Sequence, residues 1–250
     1  MTKSLFIGTT KVHLNEVDST NNYARSLIQD KLPIEGTVVT ADVQTNGRGQ
    51  RSNKWETEGN LNLTCSYILR PAFLAAKNQF VLSAAVALAV FETVSEFLPT
   101  ESVEIKWPND IIVNQEKIAG ILIENNLRGM NLHTSIVGIG LNVNQTKFPS
   151  SIKATSIKNH TEQTELVLVL DSLNKKLEKY YLRLRDGKRT EILSEFNNHL
   201  FGVRKELKFT INKKEETAEV VSVLETGEIQ LKRNDSSITS HQHHEISWHL

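Results

Sequence analysis

The chain is organised around one long connection, Val43-Gln44-Thr45-Asn46-Gly47-Arg48-Gly49-Gln50-Arg51-Ser52-Asn53-Lys54-Trp55. It joins two segments with the composition of β-strands, although a hairpin needs only about two to five connecting residues. Two glycines flank Arg48, so the backbone can approach a bound group closely. A guanidinium and the amides of a glycine-rich turn both bind phosphate. The stretch therefore predicts either an anion-binding loop or a solvated surface loop, and the rest of the chain has to decide between them.

Composition excludes several classes of protein. Lys+Arg and Asp+Glu both total 29 in 250 residues, and this zero net charge argues against a nucleic-acid-binding protein. A single cysteine, Cys65, excludes an internal disulfide framework and fits a reducing cytoplasm. The N-terminus lacks the apolar run of a signal peptide. The most apolar segment, residues 80–98, is interrupted by polar residues, which indicates a core helix rather than a membrane span.

Hydrophobic periodicity predicts an α+β fold with a mixed sheet and flanking helices. Strands are expected at residues 5–7, 37–41, 61–69 (with one buried face), 103–107, 111–113, 117–124 and 133–143. Helices are expected from Asp18 or Ser19, as N-cap, to Ile28, and at residues 75–98, 165–184 and 190–200. Four short strands follow Phe201, at residues 207–211, 218–224, 229–232 and 245–248. We therefore place a larger domain at residues 1–200 and a small β domain at residues 201–250, which is marginal alone and is expected to dock on the larger one.

Several polar residues invite a chemical interpretation. Capping explains one residue of the cluster at 18–22 and leaves Thr20, Asn21 and Asn22 available to a polar ligand. Lys117 is either a solvated strand end or a catalytic cation fixed by an acid. Asp110 could bind Mg²⁺, orient Lys117 or cap a turn.

Other features favour structural roles. Cys65 is interpreted as a small buried hydrophobe rather than a nucleophile. Gly138 and Gly140 lie inside a strand, which indicates that backbone or ligand comes close there. The segment His241-Gln242-His243-His244 lacks the further ligands of a metal site, so no side chain is assigned to a metal.

In their order along the chain, five motifs resemble those of the biotin–protein ligases. They are Ser19-Thr20-Asn21, the loop from Gln44 to Trp55, Lys106-Trp107-Pro108-Asn109-Asp110, Lys117-Ile118-Ala119-Gly120-Ile121-Leu122, and Gly138-Ile139-Gly140-Leu141-Asn142-Val143-Asn144. The C-terminal strands are similar to the small SH3-like β-barrel of that family. The resemblance implies a class II synthetase-like catalytic domain followed by this barrel.

The resemblance also implies a reaction with ATP and Mg²⁺. Biotin would be converted to biotinyl-5'-AMP, and a lysine of a biotin carboxyl carrier domain would then receive the biotin. Lys117 and Arg48 would be catalytic. Biotin would be bound by Ser19, Thr20, Asn21, Gln44, Gly47, Arg48, Lys117 and Gly120. ATP and the adenylate would be bound by Arg48, Gly49, Gln50, Arg51, Trp55, Lys106, Asn109, Asp110 and Asn142.

Two departures from the family pattern affect the loop: Gln50 stands where arginine is usual, and Ser52 where glycine is usual. About twenty residues precede Thr20, so we expect a monofunctional form without the DNA-binding module of regulatory members, in the cytoplasm, with no nucleic-acid or membrane partner. An exposed sheet edge could form a homodimer. The alternatives are a lipoate–protein ligase of the same fold and a non-catalytic regulator that binds biotin or nucleotide.

Overall fold

A computed structural model describes residues 4–50, 53–150 and 152–249 of the chain. Its larger part contains seven strands and four α-helices. In chain order these are β1 (Lys11–Val17), α1 (Thr20–Lys31), β2 (Val38–Gln44), β3 (Leu63–Leu69), α2 (Gln79–Phe97), β4 (Val103–Lys106), β5 (Asp110–Val113), β6 (Glu116–Arg128), β7 (Asn131–Leu141), α3 (Leu166–Arg185) and α4 (Arg189–Asn198).

The seven strands form one sheet in the order β1-β2-β3-β7-β6-β5-β4. β1 and β2 run parallel, and every other neighbouring pair is antiparallel. The predicted mixed sheet with flanking helices is therefore confirmed. α1 packs on β2, β3 and β7, whereas α2 packs on β4, β5 and β6 and is covered in turn by α3 and α4.

The segment Ala76–Phe97 is, by length and composition, long and apolar enough to cross a membrane. In the fold, however, α2 is packed between the sheet and two helices, and twelve of its side chains are buried, from Phe80 to Val94. A helix of this kind inside a folded domain is a core helix, as the interrupted apolar pattern predicts.

β3 differs from its prediction because both of its faces are buried. Cys65 and Tyr67 belong to the main core, while Ile68 packs with Ala24 and Ile136 under α1. Ser66 is fully buried on that second face. The expectation of one solvated face was wrong because α1 returns across the strand, which the local alternation of the sequence does not reveal.

The first strand also differs. Residues 5–7 form a turn rather than a strand, and their backbone N–H groups all donate to the buried carboxylate of Glu178, at 2.6 to 3.0 Å. The edge strand is β1, whose side chains are mainly polar and partly exposed. Only Val12 and Leu14 alternate with polar residues before the pattern breaks at Asn15 and Glu16, and so short a run gives little periodicity to detect.

Beyond Phe201 the chain forms a second, antiparallel sheet in the order β11-β10-β9-β8-β12. Its strands are β8 (Glu206–Ile211), β9 (Lys214–Val223), β10 (Ile229–Arg233), β11 (Ile238–His241) and β12 (Ile246–His249). Four of these strands were predicted and β11 was not. The sheet is consistent with the expected SH3-like module, and the division of the chain at residue 201 stays a prediction.

The small sheet docks on the larger part of the chain. Trp107 Nε1 donates to the carbonyl of Gly227 at 3.0 Å, and Phe201 N donates to the carbonyl of Ile105 at 2.8 Å. Lys106 Nζ lies 5.8 Å from the centre of the Trp248 ring. These contacts bring the end of β12 beside the turn between β4 and β5.

Replacing Phe196 by alanine tests the packing of α4. The Phe196 ring is fully buried and meets the Phe80 ring edge-on at 5.5 Å. Its loss leaves a cavity between α2 and α4, so we expect the free energy of unfolding to fall by about 3–5 kcal/mol in urea titrations. Met130→Ala, at an 85% exposed side chain, is the control and should change it by less than about 0.5 kcal/mol. Equal effects of the two substitutions would contradict this packing.

Candidate active site

A cavity of about 330 Å³ lies where the 44–55 loop, the start of α1, strands β6 and β7, and the β4–β5 turn meet. Most of the predicted site residues line it. They are Ser19, Thr20, Asn21, Gln44, Arg48, Gly49, Gln50, Trp55, Lys106, Asn109, Asp110, Lys117 and Gly120.

Two of the other three predicted site residues are found away from this cavity. Gly47 borders a smaller neighbouring cavity, on the other side of Gln44 and Trp55. Asn142 does not line the main cavity; its side chain is buried and donates to the carbonyl of Thr155 at 2.9 Å. Arg51 lies outside the described residues, as does Ser52 of the loop departures.

The floor of the cavity is a row of register partners across four strands. Lys106 pairs with Asp110, Asp110 with Gly120, and Gly120 with Gly140. Register partners point to the same face of a sheet, so two charged side chains stand beside two positions that have no side chain.

Lys117 joins this face because of a β-bulge. The register shifts between Ile111 and Ile112, so that Ile112 faces Lys117 while Ile111 faces Ala119. In a regular strand, Lys117 and Gly120 would point to opposite faces, since their positions differ by three, an odd number. The extra residue turns Lys117 towards the cavity, as bulges beside active sites often do.

The cationic half of the cavity contains two lysines and one aspartate. Lys117 Nζ lies 2.7 Å from Asp110 Oδ1 and 5.5 Å from the centre of the Trp55 ring. Burial lowers the pKa of Lys106, with a further lowering from Lys117, while Asp110 opposes it. Of the three roles left open for Asp110, this ion pair favours the orientation of Lys117, and the second lysine leaves the group with a net positive charge.

The opposite half is polar and uncharged, and it is built at the N-terminus of α1. Ser19 occupies the N-cap position without a side-chain cap bond. Gln44 takes over this function, because its Oε1 accepts from Thr20 N at 2.8 Å and from Thr20 Oγ1 at 3.1 Å. Ser66 Oγ lies 2.6 Å from Asn21 Oδ1 and 2.7 Å from Thr20 Oγ1.

Two glycines on β7 provide the space for the side chains above them. A Cβ on Gly140 would overlap the Trp55 indole, and a Cβ on Gly138 would overlap the Asn21 amide. A close approach at these glycines was expected from backbone or ligand. The groups that approach are instead two protein side chains, which lie directly on the strand.

The loop is fixed by polar bonds that the sequence did not indicate. Trp55 N donates to the carbonyl of Gly47 at 3.0 Å, and Gly49 N donates to that of Asn53 at 2.8 Å. The Arg48 guanidinium donates to Asn22 Oδ1 at 2.8 Å and to Glu124 Oε1 at 2.9 Å. Arg48 is therefore held by a carboxylate, whereas the sequence predicted only ligand contacts for it, to biotin and to the adenylate.

Sequence reasoning missed several residues at the site. Ser66 and Glu124 lie beneath its polar half, and the C-terminal sheet adds four lining residues: His243, Ile246, Ser247 and Trp248. No local pattern marks these positions. Cys65 also touches the cavity, but burial raises the pKa of its thiol to about 12, so it stays protonated and unreactive.

Comparison with known proteins finds one family and several relatives that resemble this chain. The sequence pattern of the biotin/lipoate A/B protein ligase family matches residues 14–142, just over half of the chain. The chain is 38% identical over 160 residues to the bifunctional ligase/repressor BirA of Bacillus spizizenii, covering 62% of this chain and 48% of that protein. It is 36% identical over 135 residues to the biotin–[acetyl-CoA-carboxylase] ligase of Paracoccus denitrificans, covering 52% of this chain and 53% of that protein. The chain thus spans about half the length of these curated relatives.

A match to a solved structure extends over nearly the whole of this chain. The biotin protein ligase from Aquifex aeolicus, in complex with biotin and ATP, superimposes with a TM-score of 0.79 at 27% sequence identity. The match covers 96% of this chain and 98% of that one. Both sheets are therefore part of the shared architecture.

Gly140→Ala tests the contact between β7 and the loop. The added methyl group would force the Trp55 indole off the strand, so the Trp55 indole N–H resonance should shift far more than those of Trp107 and Trp248 in a ¹⁵N–¹H spectrum. Gly120→Ala is the graded control, since its Cβ would lie 3.1 Å from the same ring and needs only a small adjustment. An unchanged Trp55 resonance in Gly140→Ala would show that the indole lies elsewhere.

Proposed function

Because the chain belongs to the biotin/lipoate A/B protein ligase family, we propose that it is a biotin–protein ligase, which attaches biotin to a lysine of a biotin carboxyl carrier domain in two ATP-dependent steps. The observation that carries this proposal is the division of one cavity into a cationic half and an uncharged polar half. The cationic half contains Lys106 and Lys117 with Asp110, and the polar half is the N-terminus of α1, beside which Arg48 is held by Glu124. Such a cavity suits a ligand with a neutral polar head, an apolar chain and a carboxylate that reacts with a phosphate.

In the first step, a biotin carboxylate oxygen attacks the α-phosphorus of ATP. The bond from that phosphorus to the bridging oxygen breaks, and pyrophosphate leaves with the electron pair. Lys117 would stabilise the negative charge shared by the carboxylate and the α-phosphate; the ion pair with Asp110, which fixes its ammonium group at the cavity wall, supports this role. Fixed donors of this kind need little reorganisation as charge develops.

In the second step, the carrier lysine amine attacks the carbonyl carbon of the mixed anhydride. An amide bond forms, AMP leaves, and the amine loses its proton to solvent. The adenylate is sensitive to water, so covering it preserves the intermediate. The loop that bears Arg48 and Trp55 borders the cavity and would provide this cover.

The roles of individual residues follow the two halves of the cavity. Gln44 uses its Oε1 on α1, so its amide N–H₂ group is the donor that remains for biotin. Asn21 is bonded to neighbouring protein groups and therefore shapes the pocket more than it contacts the ligand. The remaining biotin contacts would come from Ser19, Thr20, Gly120 and Lys117. The adenylate would lie along Arg48, Gly49, Gln50, Trp55, Lys106, Asn109 and Asp110.

Mg²⁺ would enter as the partner of the ATP phosphates, whose charge it offsets when bound. Within residues 4–50, 53–150 and 152–249, no group of three or more His, Cys, Asp or Glu side chains is arranged to hold a metal ion. Asp110 is the acidic residue among the described lining residues, and it is paired with Lys117. The phosphates and water, rather than a protein cage, would therefore supply most of the metal's ligands.

Whether the substrate is biotin or lipoate is the first point to test. We expect the protein, incubated with ATP, Mg²⁺ and biotin, to release pyrophosphate and to add the mass of biotin to a carrier domain in intact-protein mass spectrometry. A parallel reaction with lipoate should leave the carrier unmodified. Lipoylation would identify the lipoate–protein ligase, and ligand binding without product would identify a regulator.

Lys117→Ala tests the proposed catalytic cation. Removing one donor aimed at the developing charge typically slows the chemical step by about 10²–10³. We expect this loss in the initial rate of pyrophosphate release, with an unchanged unfolding transition. Lys158→Ala, at an exposed lysine away from the cavity, is the matched control. Near-normal pyrophosphate release by Lys117→Ala would remove Lys117 from this role.

A further inference from the structure

We propose that Glu124 is a positioning residue that holds Arg48 and Asn21 in the geometry needed for the two substrates. This inference rests on the proposed ligase reaction. The carboxylate of Glu124 joins three side chains from separate parts of the chain: Asn21 and Arg25 of α1, and Arg48 of the loop. We refer to these four residues as the Glu124 junction.

The geometry of the junction uses both carboxylate oxygens. Oε1 accepts from Arg25 at 2.6 Å and from Arg48 at 2.9 Å, and Oε2 accepts from Asn21 Nδ2 at 2.9 Å. The Glu124 side chain is 21% exposed, so these bonds are partly shielded from water. Charge-assisted bonds of this kind orient their partners well.

The effect on Asn21 reaches the polar half of the cavity. Its Nδ2 donates to Glu124 Oε2 at 2.9 Å and to the carbonyl of Leu122 at 3.4 Å, its Oδ1 accepts from Ser66, and the amide lies against Gly138. Removing the carboxylate would remove the shorter of the two Nδ2 bonds, while the bonds to Leu122 and Ser66 remain. We therefore expect a wider and less ordered biotin pocket.

The effect on Arg48 concerns the proposed phosphate contact. Glu124 and Asn22 each use one terminal nitrogen of the guanidinium, and among the described residues no other acceptor bonds its remaining N–H donors, which could face a phosphate. Arg25 balances the charge of Glu124, so the two arginines and one glutamate keep a net positive charge. Glu124 can thus fix the position of Arg48 without cancelling its attraction for an anion.

The experiment compares Glu124→Gln with Glu116→Gln, which removes an exposed carboxylate at the other end of β6. A glutamine has one acceptor oxygen, so whichever way its amide turns, an N–H₂ group faces a donor of Arg25, Arg48 or Asn21. Misplaced substrate-binding groups cost up to about 100-fold in rate. We expect Glu124→Gln to lower kcat/KM for ATP and raise KM for biotin, and Glu116→Gln to change neither.

A double-substitution cycle separates positioning from a general loss of structure. If Glu124 acts on ATP through Arg48, then Arg48→Ala combined with Glu124→Gln should lower kcat/KM for ATP no further than Arg48→Ala does. The rise in KM for biotin should persist in the Arg48→Ala background, because it acts through Asn21. The proposal would be overturned if kcat/KM for ATP fell further in the double variant than in Arg48→Ala. It would also be overturned if removing the Glu124 carboxylate made ATP bind more tightly.

A measurement without substrates distinguishes failure of this inference from failure of the proposed function. Hydrogen exchange, followed by mass spectrometry of the peptide spanning residues 44–55, should be faster in Glu124→Gln than in the unchanged chain and in Glu116→Gln. Exchange that Glu124→Gln leaves unaltered would show that the carboxylate does not hold the loop. If the unchanged chain makes no biotinyl adenylate while the exchange responds as expected, the reaction assignment fails and the junction stands.

Discussion

The absence of side chains at three positions of the central sheet is the constraint on which the site depends. Gly120, Gly138 and Gly140 lie on neighbouring antiparallel strands and face the cavity. Trp55 and Asn21 occupy the space above β7, so the loop and α1 reach the sheet closely enough to enclose a ligand. A larger residue at Gly138 or Gly140 would push these elements apart and open the site. Glycine is otherwise unfavourable inside a strand, which makes its use here a sign of close approach.

Charged side chains are concentrated at one end of this floor. The Lys117–Asp110 ion pair and Lys106 stand at the β4–β5 end, and the neutral network of Thr20, Asn21, Gln44 and Ser66 stands at the α1 end. Burial destabilises the protonated, charged form of Lys106 and thereby lowers its pKa. An anionic ligand would restore that lost stabilisation, so the cationic half is suited to a phosphate. The polar half, whose side chains are mostly held by internal hydrogen bonds, is suited to shape recognition of a neutral head group.

The C-terminal part of the chain contributes to the same cavity. Trp248 comes within cation–π distance of Lys106, and His243 packs edge-on against Trp107 at 5.5 Å. Both lie on the wall of the cavity. A module of this size is marginal alone, so docking stabilises it, and its residues form part of the cavity wall. The coverage of both sheets by the Aquifex aeolicus ligase structure is consistent with this arrangement.

The sequence by itself determined the class of fold and most helices and strands, because periodicity reports which side of a local segment is buried. The site residues came from motifs that resemble those of a known family, and thirteen of them line the cavity. Only the tertiary structure decided the rest. The bulge that turns Lys117 to the cavity depends on pairing between β5 and β6. The burial of both faces of β3 depends on α1 crossing it, and the partnership of Glu124 with Arg48 joins residues 76 positions apart. These features arise from register and from contacts distant along the chain, and neither leaves a pattern in the neighbouring residues.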